Sequence, residues 1–276
     1  MNAASLQDHY SQPDLTSAIL AALRKAGLDI DNLKREDLNL LDEFHIRGQA
    51  ATLELAPMAE LSAEHAVLDL GCGVGGPARL LAAQYGCHVV GLDLVEAYCE
   101  AATELTRRVG LSELVKFQQG DMREMPFADN SFDCVWSQNT QMNIPDKGAL
   151  ASDVRRVLRP GGRAVFYEVC AGNGQPVILP VPWASKPEHN HLCAATVFHQ
   201  NLLEAGLEEV IWQDVTTVAV DWLDGLSPAM SKNTVDTRRR PSLGLLMGAT
   251  AGLKSRNLAR NIREGRVVVV QGIFTA

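Results

Sequence analysis

The chain has 276 residues, 46% hydrophobic and 21% charged, with a formal net charge of −8. That length suits one large domain, or a core domain with an elaborated cap, and the acidic balance argues against a nucleic-acid partner. No run of 18 apolar residues occurs and the N-terminus (MNAASLQDHY) lacks a basic, apolar leader, so a cytoplasmic protein without a membrane partner is expected.

Within residues 11–28 the apolar positions Leu15, Ile19, Leu20 and Leu23 recur at helical spacing, and Gly27 is a stop. After a loop of mixed charge, 41–56 (LDEFHIRGQAATLELA) reads as a second helix that Pro57 breaks. Residues 1–61 are therefore expected to form a helical cap, ahead of a core over 62–276.

That core begins with AVLDLGCGVGGPARL (66–80), an apolar run that stops at Gly71, Gly73, Gly75 and Gly76 before Pro77 opens a periodic segment. This predicts a strand, a turn of bare backbone and a helix whose N–H groups point into the turn. Alternation continues with a helix over 77–85, a strand over 87–92 ending at Asp93, a helix over 95–109 and a strand over 115–118 leading to Asp121. A strand over 132–137, a helix over 147–158, a tight turn at 159–162 and a strand over 163–169 follow. A proline-rich excursion at about 171–193 precedes a helix over 194–205 and a strand over 210–215. A second excursion at about 216–265, mainly helical from 242, precedes a last strand over 267–274. Such alternation implies a doubly wound α/β sheet, with the excursions as lids over the carboxyl ends of the strands.

The six cysteines are scattered without a C-x-x-C pair and read as reduced core residues. His189, His191 and Cys193 lie in a proline-flanked loop without a fourth ligand at recognisable spacing, so no metal site is expected. Arg238, Arg239 and Arg240, ahead of Pro241, read as a solvated loop.

Gly71, Gly73 and Gly76 satisfy G-x-G-x-x-G, and Asp93 follows Gly73 by 20 residues, so a dinucleotide-dependent oxidoreductase is one alternative. Asp69 argues against it, because its carboxylate would face a pyrophosphate with like charge; a cationic ligand would be attracted. Three aspartates, Asp69, Asp93 and Asp121, follow successive strands in register.

This stretch resembles the first motif of class I S-adenosylmethionine-dependent methyltransferases. SQNTQMNIPDK (137–147), LDEFHIRG (41–48), PVPWA (180–184) and NLARNIREGR (257–266) further resemble the sarcosine/dimethylglycine N-methyltransferase-like group. The resemblance implies a seven-stranded, Rossmann-like methyltransferase sheet whose final strand is antiparallel, with S-adenosylmethionine as the cofactor. It implies that Asp69 helps hold the methionine ammonium and that Gly71 and Gly73 form the turn. Asp93 would take the ribose hydroxyls with Leu94 beside the adenine, Asp121 the adenine amino group with Met122 on the ring, and Gln138 would also line the cofactor.

Methyl transfer asks for an in-line nucleophile and a dry site. The candidate general base is His45, and the candidate acceptor contacts are Arg47, Asn139, Asn143, Glu168 and Trp183. Arg47 would clamp a carboxylate of the acceptor or of the methionine. An amine resembling a glycine derivative is the leading acceptor. O- or C-methylation of a phenolic, quinone or polyketide compound is the alternative, as is binding of the cofactor without turnover. A homo-oligomer is left open.

Overall fold

The computed structural model describes residues 14–231 and 244–276. The N-terminal segment contributes α1 (Leu15–Lys25) and α2 (Gln49–Leu55), and the alternating part begins with β1 (Ala66–Leu70) and α3 (Gly76–Tyr85). Then come β2 (His88–Asp93), α4 (Glu96–Arg108), β3 (Val115–Gln119), β4 (Phe132–Gln138), α5 (Lys147–Val157) and β5 (Leu158–Ala171). The chain closes with α6 (Ala195–Glu204), β6 (Glu208–Asp214), α7 (Thr216–Ser231), α8 (Ala251–Arg263) and β7 (Val267–Thr275). The seven strands form one sheet in the order β3-β2-β1-β4-β5-β7-β6; β1 to β5 pair in parallel and β7 is antiparallel to both neighbours. The expected doubly wound sheet is therefore present, with its late final strand reversed.

The central strands are largely apolar because both faces are covered, the buried Asp69, Gln138 and Glu168 being exceptions. On one face Val67, Trp136, Val165 and Tyr167 pack against Ala51 and Leu55 of α2, Leu81 of α3, Ala219 of α7 and Ile262 of α8. On the other, Leu68, Val135 and Phe166 meet Leu150 and Val154 of α5 and Phe198 of α6. A third core joins Leu15, Ile19 and Leu23 of α1 to Tyr98 and Leu105 of α4.

Four local expectations change. Residues 41–56 are not one helix. A single helical turn, Asn39–Asp42, is followed by a tight segment in which Arg47 (φ 67°) and Gly48 (φ 51°) adopt left-handed backbone, and α2 starts only at Gln49. Pro57 does not stop α2 abruptly but sits in the first turn of its 3-10 continuation, where its missing N–H costs nothing. The turn expected at 159–162 is absorbed into β5 as a bulge, the pairing passing from Phe132–Leu158 to Cys134–Arg163 with Gly161 at φ 79°. The second excursion contains a helix, α7, that its sequence did not announce, and Gly248 (φ 71°) separates the short helix Gly244–Met247 from α8.

The excursions clasp each other. Asn261 accepts from the Ile178 N–H (2.8 Å) and donates to the Ile178 carbonyl (3.0 Å), while Asn257 donates to the Pro180 carbonyl (3.0 Å). The start of the expected first helix, at Ser11, and the Arg238–Arg240 cluster lie outside the described residues. All six cysteines are free thiols, and no helix among the described residues is long and apolar enough to cross a membrane.

Candidate functional site

The glycine turn after β1 is folded back on β2: the N–H groups of Gly71 and Cys72 both donate to the Leu92 carbonyl, at 2.7 and 3.2 Å. Gly71, Gly73 and Gly75 all have positive φ, at 66°, 53° and 84°. A Cβ on Gly71 would lie 2.2 Å from Thr140 Cγ2, and one on Gly76 2.1 Å from the Asp42 carbonyl oxygen, so these glycines permit close packing. At Gly73 a Cβ would meet nothing within 4 Å. Bare backbone is accessible there.

Asp93 organises this turn, taking the Gly73 N–H on Oδ2 and the Val95 N–H on Oδ1, both at 2.9 Å. Burial pushes its carboxyl up to about 6 against the pull of those two bonds. Asp69, on the same strand face as Val67, is buried, and its Oδ2 has no hydrogen-bond partner. Burial, and then the charge of Asp93, raise it to about 7 in spite of a bond from the Ala78 N–H at the start of α3. A buried carboxylate without a counter-charge is costly to ionise. The Arg79 charge lowers Asp69 only in part and makes no contact with Oδ2, so the turn presents backbone and an unpartnered acid, a setting for a cation and a poor one for a pyrophosphate.

The N-terminal segment is fastened over this turn. Arg79 of α3, wholly buried, donates to Asp42 Oδ1 (2.5 Å), to the Val74 carbonyl (2.7 Å) and to Thr106 Oγ1 (3.0 Å). The Ile46 N–H donates to Asn139 Oδ1 at 2.8 Å. Between these anchors lies Glu43, a buried carboxylate that sequence reasoning missed; burial, then Asp42, raise it to about 8. The sequence carried no signal for it, since Glu43 stands beside Asp42, His45 and Arg47 in a polar stretch.

His45, Arg47, Gln138 and Tyr167 come together on the α2 side of the sheet. His45 Nε2 lies 2.9 Å from the Gly48 carbonyl, which can only accept, so the neutral ring carries its proton on Nε2 and leaves Nδ1 as the acceptor. Burial lowers the imidazole to about 4 despite that bond. It is therefore neutral at pH 7 and too weak a base to remove a proton from an ammonium group, which narrows the role expected of it. Thr52 Oγ1 lies 3.3 Å from the same nitrogen and donates to Gln138 Oε1 (3.0 Å), which also accepts from Trp136 Nε1 (2.8 Å). The Gln138 amide nitrogen is buried without a partner.

Tyr167 meets the His45 ring edge-on, with centroids 6.3 Å apart, and its hydroxyl lies beside the Arg47 guanidinium. Burial, opposed by Arg47, raises the phenol to about 12, so it stays protonated. Arg47 is largely buried: its side chain is 10% exposed, Nη2 pairs with Glu54 at 2.5 Å, and among the described residues the guanidinium otherwise faces only the Tyr167 hydroxyl. Tyr167 was also missed. Its strand position is opposite Gln138 in the β4–β5 register, which names it once the pairing is known.

Glu168, expected near the acceptor, points to the opposite face. It is fully buried and accepts from Ser137 Oγ (2.6 Å), Thr140 N (2.9 Å) and Gln141 N (3.3 Å), so it holds the loop after β4. Period-two alternation explains the change: Tyr167 and Glu168 cannot share a face. Asn139, left-handed at φ 50°, is committed to the Ile46 N–H and the Tyr167 carbonyl, and so bridges elements. Trp183 is 2% exposed and donates to Asn190 Oδ1 (2.8 Å); it packs the first excursion into the core. Asn143 lies in a 3-10 turn, its N–H on the Thr140 carbonyl. Asp121 stands after β3 as expected, yet Arg123 forks onto both of its oxygens, with Nε at 2.9 and 3.0 Å. Met122 is buried beside it, and the Leu94 carbonyl accepts from Gln119 Nε2 (3.2 Å). Among the described residues no three His, Cys, Asp or Glu side chains gather as metal ligands, and the His191 N–H is engaged by the Met142 carbonyl at 3.1 Å.

Residues 68–166, which span the glycine turn and the loop after β4, match a family model described as a methyltransferase domain. The chain is 31% identical to the glycine/sarcosine/dimethylglycine N-methyltransferase of Actinopolyspora halophila over 182 residues, 66% of this chain and 31% of that protein. It is 46% identical to a sterol 24-C-methyltransferase of Gibberella zeae over 102 residues, 37% of this chain and 27% of that one. The matches thus span about a third of the length of these relatives. In fold it is similar to phosphoethanolamine N-methyltransferase 2 of Haemonchus contortus, with a TM-score of 0.75 at 20% identity, over 100% of this chain and 60% of that one.

Proposed function

Residues 68–166 are a methyltransferase domain, and we propose that the chain transfers a methyl group from S-adenosylmethionine to a small-molecule acceptor, a carboxylated amine before others. The observation that carries the cofactor reading is Asp69, buried at the glycine turn with Oδ2 unpartnered. That oxygen suits the cationic methionine end, and Gly73 leaves backbone open beside it. The lone pairs that Asp93 retains suit a ribose diol, and the buried side chain of Met122 an adenine ring. The residues fit the cofactor, and a dinucleotide would lack the charge they call for.

When bound, the cofactor supplies an electrophilic methyl group. This chain's own residues then have to place the nucleophile and exclude water. Arg47 Nη1 and the Tyr167 hydroxyl are buried side by side, and neither has another side-chain partner among the described residues, so together they supply converging donors for an anionic oxygen of the acceptor. Glu54, 42% exposed, neutralises only the other arm of the guanidinium. His45 Nδ1, an acceptor on a ring held neutral, can take a hydrogen bond from an amine N–H and turn the nitrogen lone pair without carrying the proton away. The amine must arrive already neutral. The six free cysteines suit a reducing, cytoplasmic compartment.

The sterol relative favours a second reading, an apolar acceptor methylated at carbon or oxygen. Two measurements test the proposal. S-adenosylhomocysteine at a hundredfold excess over its dissociation constant should stabilise the fold by about 2.7 kcal/mol in a thermal melt, and NAD should not. Labelled methyl from S-adenosylmethionine should pass to N-methylglycine derivatives in preference to phenols and sterols. Stabilisation by NAD alone overturns the cofactor, and preferential labelling of a phenol or sterol moves the acceptor to the second reading.

A further inference from the structure

Glu43 occupies a place that the fold goes to some length to define. Asp42, its neighbour, is tied to Arg79 and has its carbonyl where a Gly76 side chain would otherwise stand; three residues later Ile46 is tied to Asn139. Gly48 gives further room, because a Cβ there would lie 3.1 Å from Glu43 Cβ. The Glu43 side chain is 8% exposed, and its Oε2 has no hydrogen-bond partner.

Among the described residues no cation pairs with this carboxylate: the fields of Arg35 and Arg79 reach it and lower it, but burial and Asp42 outweigh them. His45 Nε2 is 3.6 Å away, but its proton is directed at the Gly48 carbonyl and the ring is neutral. Arg79 is consumed by Asp42, and Arg35 is engaged with Glu36. The remaining charged groups whose fields reach Glu43 are Asp42 and Asp69, both of its own sign. Asp69 Oδ2 is itself buried and unpartnered. Two orphaned carboxylate oxygens, one from the N-terminal segment and one from β1, therefore lie within each other's field beside the glycine turn, and the one described cation whose field reaches both, Arg79, pairs with Asp42 instead.

We propose that Glu43 is a cofactor-binding residue: together with Asp69 it holds the cationic methionine end of S-adenosylmethionine, so that the N-terminal segment completes the pocket. This rests on the cofactor reading above. It carries two consequences for the protonation and the charge of the site. Glu43 and Asp69, raised to about 8 and about 7, are largely or half protonated at neutral pH without the ligand, so binding a cation must ionise them and release protons to the buffer. Loss of the sulfonium charge on methyl transfer weakens this attraction, which favours release of S-adenosylhomocysteine.

The test is titration calorimetry of the full chain with S-adenosylmethionine and S-adenosylhomocysteine at pH 7, in buffers of different ionisation enthalpy, for wild type, Glu43→Gln and Glu43→Asp. Wild type should release protons on binding. Glu43→Gln should bind S-adenosylmethionine about tenfold or more weakly and release fewer protons, and Glu43→Asp should restore part of both. A thermal melt shows that each variant is folded. Unchanged affinity and unchanged proton release in folded Glu43→Gln overturn the role of Glu43 while leaving the cofactor in place. Failure of wild type to bind either ligand overturns the cofactor reading itself.

Discussion

The Arg79 guanidinium and the Asp42 carboxylate lie 2.5 Å apart with both side chains buried, joining the helix that opens at the glycine turn to the segment laid across it. A buried pair of this kind is a poor source of net stability, but removing one partner leaves an uncompensated charge. Arg79 also takes the Val74 carbonyl of the turn and the Ala102 carbonyl and Thr106 hydroxyl of α4. Arg79→Met should therefore cost about 3–5 kcal/mol in urea unfolding. Asp42→Asn, which keeps an acceptor, should cost less. Equal stability of Arg79→Met and wild type would show that the segment is held by apolar packing alone.

The glycine turn separates packing from binding. Gly71→Ala drives a methyl group into Thr140 at 2.2 Å and should lower stability and cofactor affinity together. Gly73→Ala meets no protein atom within 4 Å, so its stability cost should be only the about 1–2 kcal/mol of left-handed strain. Its cofactor affinity should nevertheless fall by more than that of any other single glycine variant with so small a stability cost. Melts and calorimetry on the two proteins check this, and undiminished binding by Gly73→Ala would move the ligand away from the turn.

Asp93→Ala should not be a pure binding variant. The carboxylate accepts from Gly73 and Val95 within the protein, so the substitution leaves two N–H groups near the ligand without their acceptor. Expected are a stability loss on the order of 1–3 kcal/mol and at least a tenfold loss of cofactor affinity. Full stability with weakened binding would mean that the turn is organised elsewhere.

The ligand-free protein should become less stable from pH 6.5 to pH 8. A carboxyl whose folded pKa exceeds its unfolded value contributes stability that is complete below the unfolded pKa and is lost as pH rises through the folded one. Glu43, at about 8, and Asp69 and Glu168, at about 7, are such groups, each raised first by burial. His45, lowered to about 4 by burial, acts in the opposite sense, but only below its unfolded pKa of about 6.5. Above that the carboxyls act without it, at up to about 1.4 kcal/mol per pH unit for each group. Denaturant titrations across this range should show the fall, and S-adenosylmethionine should reduce it. A rise in stability from pH 6.5 to 8 would show that these carboxyls are ionised and paired in solution.

Chain order made the turn legible. An apolar run, a glycine cluster and a proline are local signals; of the three aspartates expected after strands only Asp121 stands beyond one, Asp69 lying inside β1 and Asp93 closing β2, yet each marks the carboxyl end of a strand that its own composition announces. The acceptor side was legible only in part because distant segments build it. Nothing near Leu41 signals that Asp42 will meet Arg79, or that Ile46 will meet Asn139; both contacts follow from how the N-terminal segment lies on the finished sheet. Glu168 drew attention as a charge in an apolar strand, yet strand parity turns it beneath the loop after β4 and gives the acceptor side Tyr167. The helix expected over 41–56 failed for a related reason: left-handed backbone at Arg47 is unfavourable locally and is held by contacts that only the tertiary structure provides.

If Arg47 and Tyr167 hold the acceptor's carboxylate, Arg47→Lys should raise KM for a carboxylated amine far more than for its methyl ester, since lysine has no planar fork. Tyr167→Phe removes one donor and should act in the same direction by a smaller factor. His45 is neutral throughout the neutral range, so it contributes no ionisation to the rate there. With S-adenosylmethionine saturating, so that Glu43 and Asp69 are held ionised, the pH dependence then belongs to the acceptor: for an alkyl amine of pKa near ~10, the rate at subsaturating acceptor should rise about tenfold per pH unit. Steady-state kinetics from pH 6.5 to 9 with both substrates separate the possibilities. A rate that levels off near pH 7 would show a base of higher pKa than His45, and equal KM ratios for wild type and Arg47→Lys would take Arg47 out of acceptor binding.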